Sequence, residues 1–335
     1  MRSGRAKTTR TKSSCWRTTS RTRRPATKSP SWASEPQTAR HVPVMLDEVL
    51  ALLACRPGGI YVDGTVGGGG HAAAILEASA PGGRLIGLDQ DPEAIARAAR
   101  TLRPFGERVE LLQENFDRIA GVLAARGIPA VDGIVLDLGI SLDQLESSGR
   151  GFSFRREEPL DMRMDPRGPE TAADLLARLG EEDLARLFQD FGEERHARRI
   201  ARAVVRARAR RPLETTTDLV QLVYAATPGG GRGRIHPATR VFMALRIAVN
   251  RELERLESFL DQLPTVLRPG GRVCILAFHS LEDRIVKHRF RTLAGRREAP
   301  GPLRLLTRRV LRPRPEELDA NPLARSARLR AAERA

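Results

Sequence analysis

The stretch "IYVDGTVGGGGHAAAI", Ile60–Ile75, sets four consecutive glycines between a β-like run and a helix-like run. A glycine turn at such a junction brings backbone close to a ligand, because no Cβ stands in the way. Dinucleotide folds ask there for GxGxxG or GxGxxA, then an acid about 20 residues on for the ribose hydroxyls. Gly67-Gly68-Gly69-Gly70-His71-Ala72 meets that pattern, and Asp89 ends the next β-like run at the required distance. The glycines alone therefore do not decide the ligand.

Working outward, strand and helix alternate. "VMLDEVLALLA" has apolar residues at helical spacing and "RPGG" ends it. "RLIGLD", "RVELLQENF" and "VDGIVLDLG" read as strands. "DPEAIARAARTLRPFG" reads as a helix capped by Asp91, with Pro92 at its first position. Short turns join these segments, which predicts a parallel, doubly wound α/β sheet. From about residue 145 strands give way to consecutive amphipathic helices, "TAADLLARLGEEDLARLFQDFGEERHARRIARAVVRARARRP". "HPATRVFMALRIAVNRELERLESFLDQLPTVL" then reads as one long helix, "RPGGRVCILAFHS" as a fifth strand and "LEDRIVKHRFR" as a helix. The expected organisation is an α/β domain split between residues 41–144 and 236–335, interrupted by a helical insertion over 145–235. Residues 1–40 are expected to be a disordered basic extension.

Composition bounds the partners. No apolar run in the 335 residues approaches the roughly 18 to 20 needed to cross a membrane. Cys15, Cys55 and Cys274 lie far apart with no CxxC pair, which indicates neither a disulfide framework nor a cysteine zinc site. No metal ligand is assigned, and a reducing, cytoplasmic setting is expected. The net charge of +16 is uneven: residues 1–40 and 284–335 each carry +10, while 41–283 carry −4. Two basic ends flank a slightly acidic body, rather than one broad cationic face. The first forty residues share their Arg, Ser and Thr richness with transit peptides and with disordered tails alike.

The acids narrow the ligand. S-adenosylmethionine-dependent methyltransferases use a similar sheet for a ligand without phosphate, whose methionine and ribose lie against bare backbone. Asp63 ends the first strand, Asp89 the second and Asp137 the fourth. A carboxylate at Asp63 would repel a pyrophosphate but accept hydrogen bonds from amides or an ammonium group. Asp137 falls at the carboxyl end of a strand, where open α/β sheets bind ligands.

Eight stretches in order carry a closer likeness: "HVPVMLDEVL", "YVDGTVGGGGH", "GLDQDPEAI", "VLDLGIS…QL", "RGFSFRREEPLDMRMDP", "RIHPATRVFMALRIAVNREL", "GGRVCILAFHSLEDRIVK" and "NPLARSARLRAAER". They resemble the bacterial ribosomal RNA small-subunit methyltransferase H family, also called MraW. The resemblance spans residues 41–334. It implies a Rossmann-like class I methyltransferase sheet with an inserted all-helical domain, and methyl transfer from S-adenosylmethionine to N4 of a cytidine in the decoding region of small-subunit RNA. The implied partner is that RNA within an assembled or nearly assembled small subunit, with a homodimer allowed and no membrane. Carried over residue by residue, Gly69, Gly70 and His71 would line the cofactor, Asp89 hold the ribose, and Phe116 lie near the adenine. Asp137 and Gln144 would close the other side. Where the family usually has "GVSSPQL" this chain has "GISLDQL", with the spacing from Asp137 to Gln144 kept.

The chemistry leaves one role open. Many amino-methyltransferases follow the fourth strand with Asp/Asn-Pro-Pro-aromatic, aimed at the target amine; here it is Asp137-Leu138-Gly139-Ile140. Asp137, Asp161, Asp165, His279 and Ser280 are candidates for the missing acceptor, and Phe152 or Phe154 for stacking on an exposed base. The catalytic residue itself is unassigned. Competing readings are an NAD(P)-dependent oxidoreductase, from the glycine motif, and a non-catalytic RNA-binding ribosome-assembly factor, from the basic segments.

Overall fold

Five strands run parallel: β1 (Ile60–Asp63), β2 (Arg84–Asp89), β3 (Val109–Gln113), β4 (Val131–Asp137) and β5 (Leu267–Ala277). The computed structural model describes residues 43–335 except 147 and 229–235. The basic extension expected over 1–40 lies outside the described residues, as does most of the "PGGGRGR" loop. The sheet order is β3-β2-β1-β4-β5, and β4 is buried at every residue but its last. Burial on both faces is the mark of a strand covered by helices above and below.

Beyond β5 the expected all-parallel sheet becomes mixed. β6 (Leu303–Leu305) and β7 (Arg328–Arg334) extend it, with β7 antiparallel to both neighbours. The register explains the pairing: Val273 faces Ala332 and Cys274 faces Ala331, so alternate side chains of β5 and β7 enter opposite faces of the core together. The "NPLARSARLRAAER" stretch, legible only as part of a likeness, carries this two-residue alternation.

Helices α1 (Leu46–Leu53), α2 (Gly70–Ala78) and α3 (Pro92–Leu102) cover one face, and α4 (Ile119–Ala124) starts the layer on the other. Asp91 caps α3 as read, accepting from the Glu93 amide at 3.0 Å. After β4 come a short helix α5 (Leu142–Glu146) and a group with its own hydrophobic core: α6 (Ala172–Arg178), α7 (Glu181–Asp190), α8 (Ala197–Arg208), α9 (Thr216–Ala226) and α10 (Ala238–Asn250). Leu184, Phe188, Ile200, Val204, Leu219 and Val241 lie at its centre. Thr171 and Thr215 each close a capping box with an Asp three residues on. No helix among the described residues is long and apolar enough to cross a membrane.

The helix expected to run unbroken from residue 236 to 267 is two. Arg251 sits in the left-handed region (φ 51°, ψ 40°) and separates α10 from α11 (Glu252–Val266). α10 buries Val241, Phe242 and Leu245 in the helical core, whereas α11 buries Phe259, Leu260 and Leu263 against the sheet. One straight helix could not aim both stripes at separate cores, so the helical part extends to about residue 250, past the expected 235. With α12 (Ser280–Ala294), α11 completes the second layer.

Asn250, at the last turn of α10, ties this junction to the long loop after β4. Its Oδ1 accepts from the Met164 amide at 2.8 Å, and its Nδ2 donates to the Met162 carbonyl at 2.8 Å. Asn250→Ala leaves a buried amide and carbonyl unpaired, and the expected loss of stability by denaturant unfolding is about 2–3 kcal/mol.

Candidate active site

The parallel register sets the depth of the three strand-end acids. Asp63 pairs with Gly87 on β2 and with Val135 on β4, so Asp89 and Asp137 each project two residues past it. Asp89 and Asp137 reach a cavity at the carboxyl edge of the sheet, and Asp63 stays beneath it at 2 % exposure. Burial pushes the Asp63 carboxyl up to about 8, against the pull of its hydrogen bond from the Thr65 amide; Asp137 and Asp89 push it further up. Burial thus favours the neutral form of Asp63, which receives the Thr65 amide beneath the turn.

Asp89 is aimed by backbone. Its Oδ2 accepts from the Gly67 amide at 3.0 Å and its Oδ1 from the Asp91 amide at 2.9 Å. Burial raises it to about 6, with those two amides limiting the rise. Asp137 donates its amide to Thr65 Oγ1 at 2.6 Å, and its Oδ2 lies 3.8 Å from His71 Nδ1. The other ring nitrogen of His71 donates to the Val44 carbonyl at 3.0 Å. That bond fixes the ring and ties the loop before α1 to the cavity rim.

Of the residues expected around the cofactor, Gly70, His71, Asp89, Phe116, Asp137 and Gln144 line this one cavity. Gly69 does not. It holds φ +86°, and its Cα faces α3, where a Cβ would come within 3.2 Å of Leu102. Gly69 therefore makes the turn possible, while Gly67 and Gly68 provide the bare wall. Phe116 combines both of its readings: it packs edge-on against Phe259 at 5.8 Å and also lines the cavity.

The "GISLDQL" departure leaves Gln144 in place for a local reason. Ser141 Oγ accepts the Gln144 amide at 3.1 Å, and Gln144 Oε1 accepts the Ser141 amide at 3.1 Å, a reciprocal box at the start of α5. Leu142 points outward, and Asp143 meets Arg97 at 3.0 Å. Gln144 Nε2 then donates to Asp91 Oδ2 at 2.9 Å, which also takes Arg150 at 2.7 Å. Serine and glutamine three apart are a capping signal that the family comparison concealed.

Several sequence candidates lie elsewhere. Asp161 and Asp165 close ion pairs with Arg163 and Arg167, at 2.7 and 2.8 Å, off the cavity wall. Ser280 Oγ donates to Glu193 at 3.0 Å. Phe152 is buried in the helical core, and Phe154 stacks on His236 at 4.7 Å. The aromatic ring on the wall beyond Gly139 is Phe278 instead. Sequence reading also missed Gln90, Asn115, Asn250, Glu252, Arg255 and Glu282, which line the same space from four different segments. Gln90 and Asn115 adjoin Asp89 and Phe116 without a signal of their own, and distance along the chain hid the other four.

The donor set fits an adenosyl ligand bearing a positive charge. Asp89 and Asp137 face the cavity beside the glycine turn, with Asp143, Glu252 and Glu282 on the same wall, and a pyrophosphate at the turn would meet the first two. The guanidinium on the described wall, Arg255, is engaged by Gln90 Oε1 at 2.7 Å.

Comparison with known proteins points the same way. The family model described as the MraW methylase family matches residues 38–335. The chain is 52 % identical over 308 residues to "Ribosomal RNA small subunit methyltransferase H" of Desulfosudis oleivorans, covering 88 % of this chain and 99 % of that one. It is 53 % identical over 306 residues to the protein of that name from Syntrophobacter fumaroxidans, covering 88 % and 96 %. The Symbiobacterium thermophilum protein of that name is 49 % identical over 303 residues, covering 87 % and 95 %.

Asp89→Ala and Asp137→Ala are each expected to lower S-adenosylmethionine affinity about 10- to 100-fold by calorimetry, the worth of a charged hydrogen bond. An ionised Asp89 would accept hydrogen bonds from a ribose diol more strongly than the neutral acid. Affinity should therefore hold above about pH 6 and fall as pH drops through that value, and Asp89→Asn should flatten the profile.

Proposed function

The chain belongs to the MraW methylase family, and from that premise we propose that it methylates N4 of one cytidine in the decoding region of small-subunit ribosomal RNA. It is a methyltransferase that uses S-adenosylmethionine. The observation that carries the proposal is one cavity in which a glycine turn and two strand-end carboxylates lead directly to further acidic side chains. The oxidoreductase alternative falls with family membership, and the continuous cavity speaks against a non-catalytic binding factor.

The sulfonium of S-adenosylmethionine makes its methyl group electrophilic before any protein group acts. The chain's task is alignment, holding donor and amine so that nitrogen, methyl and sulfur fall nearly in line. Gly67 and Gly68 would leave room for the donor, Asp89 and Gln144 would hold it, and Asp137 would supply negative charge to a cationic ligand. Cytosine N4 is weakly nucleophilic because its lone pair is shared with the ring, so acceptors near its hydrogens favour attack. The base must be unstacked to reach the cavity.

RNA phosphates have a surface to meet on the helical part. α8 buries Ala197, Ile200, Ala201 and Val204 and turns Arg199, Arg202 and Arg206 into a groove against α9 that Arg210 and Arg211 extend. Arg202 and Arg211 are balanced by Glu181 and Asp218, which leaves Arg199, Arg206 and Arg210 for an anionic partner. The reading extends to an assembled or nearly assembled small subunit as substrate and action in the cytoplasm, with a homodimer allowed.

Incubation with methyl-labelled donor and unmethylated small subunits, followed by nucleoside analysis, should yield N4-methylcytidine. RNA binding without that nucleoside would leave the assembly-factor reading. Binding should weaken steeply with salt, and Arg206→Ala should reduce the log–log slope by about one.

A further inference from the structure

The cavity continues past the cofactor-binding residues. Beyond Leu138 and Gly139 its wall passes to Phe278, then to Glu252 at the start of α11 and Glu282 in the first turn of α12. A Cβ at Gly139 would come within 2.9 Å of the Phe278 ring, so glycine there lets that aromatic close on the strand end.

The two glutamates are held differently. Glu252 Oε1 and Oε2 accept from Arg246 Nε and Nη2 at 2.7 and 2.8 Å, a two-pronged contact that fixes the carboxylate plane. Each carboxylate oxygen has two lone pairs, so one on each remains available. Glu282 Oε2 accepts the amides of Phe278 and His279 at 2.8 and 3.2 Å, and its Oε1 lies 3.0 Å from His279 Nε2. His279 Nδ1 accepts the Glu282 amide at 3.4 Å, which puts the ring proton on Nε2. That nitrogen is buried without an aligned hydrogen-bond partner, in a residue 9 % exposed. One polar atom from each of Glu252, His279 and Glu282 lies within 4.8 Å of the others.

We propose that this cluster is the amine end of the active site: Glu252 accepts a hydrogen of the target cytosine N4 and takes its proton, and Glu282 is the fixed anion facing the charge that develops there. The proposal rests on the reading of the chain as a cytosine-N4 methyltransferase. It fills the role left open by Asp137-Leu138-Gly139-Ile140, and it places the acceptors on α11 and α12 rather than after β4. In the step, the N4–methyl bond forms as the sulfur–methyl bond breaks, and the sulfonium becomes a neutral thioether. N4 passes one proton to the Glu252 carboxylate, which returns it to water after the product leaves.

Three observations favour this division of labour. Burial raises Glu282, but the His279 ring beside it, then Arg246 and the Phe278 amide, hold it below the usual carboxylate range. It is therefore a persistent anion and a weak base. Glu252 lines the cavity with one lone pair on each oxygen unused by Arg246, which acts as its positioning residue. Carboxylates also read the base: cytosine offers N4 hydrogens, whereas uracil offers an oxygen that two acceptors repel.

The same three groups resemble a metal-ligand set. The Arg246 guanidinium already sits against Glu252, which favours an amine over a divalent cation at this point.

The test is single-turnover methylation of small subunits by the full chain, with labelled donor and nucleoside analysis. Glu252→Gln keeps the shape and one acceptor but loses the base. Its rate should fall about 100-fold or more with donor affinity by calorimetry held near wild type, while loss of the ion pair with Arg246 lowers the unfolding midpoint without unfolding the chain at the assay temperature. Wild-type rate should reach a plateau with rising pH, whereas the Glu252→Gln rate should keep climbing as hydroxide replaces the lost base. Arg246→Lys, which loses the fork, should lower the rate without changing the pH profile's shape. Glu252→Gln turning over within about threefold of wild type would overturn the proposal. So would wild-type activity that chelator abolishes and Mg²⁺ or Mn²⁺ restores, which would make the cluster a metal site. If wild type labels a nucleoside other than N4-methylcytidine, the functional reading fails first, whatever Glu252→Gln does.

Discussion

The hydrogen bond from the Gly67 amide to Asp89 Oδ2 joins the tip of β2 to the glycine turn, and the site is arranged around it. Two backbone bonds prepare it: Gly64 donates to Val135 and Val66 to Leu88, at 3.0 and 2.8 Å. They carry the chain leaving β1 across the ends of both neighbouring strands before α2 begins. The turn is thus pinned from two sides, and His71 follows at the first turn of α2 with its ring against Val44 and Asp137. Gly69, with its positive φ and its close approach to Leu102, is where a side chain would break this path.

The acids at this edge cost stability that packing elsewhere must offset. Asp63 and Asp89 are both raised, chiefly by burial, and each lies close enough to another carboxylate to feel it. Such a cluster is poorly suited to an anion and well suited to a cationic sulfonium. Among the described residues, arginines gather on the α8–α9 groove and toward the carboxyl terminus. Asn250 and Arg251 lie where the helical part meets the sheet domain.

The sequence made the sheet legible because each strand–turn–helix unit is local. Asp91 as a cap, the four β-like runs and the glycine turn need no distant partner to be read. What it concealed depends on register and on long-range contact. The two-residue offset that buries Asp63 and exposes Asp89 and Asp137 follows from strand pairing, which the spacing of acids does not state. The break at Arg251 was hidden because its flanks carry one continuous helical pattern while facing different cores. Glu252, His279 and Glu282 are brought together only by folding, and Glu282 reads in sequence as an ordinary first-turn acid. Gly69 belongs to a ligand motif, and its positive φ and close approach to Leu102 also make the turn that carries the motif.

The central claim is that this edge cradles an adenosyl ligand without phosphate, despite a glycine pattern that fits a dinucleotide. Direct calorimetric titration of the full chain with S-adenosylmethionine and, separately, with NADH and NADPH tests it. The account predicts saturable one-site binding of S-adenosylmethionine and no heat from either dinucleotide. Dinucleotide binding as tight as that of S-adenosylmethionine would contradict it.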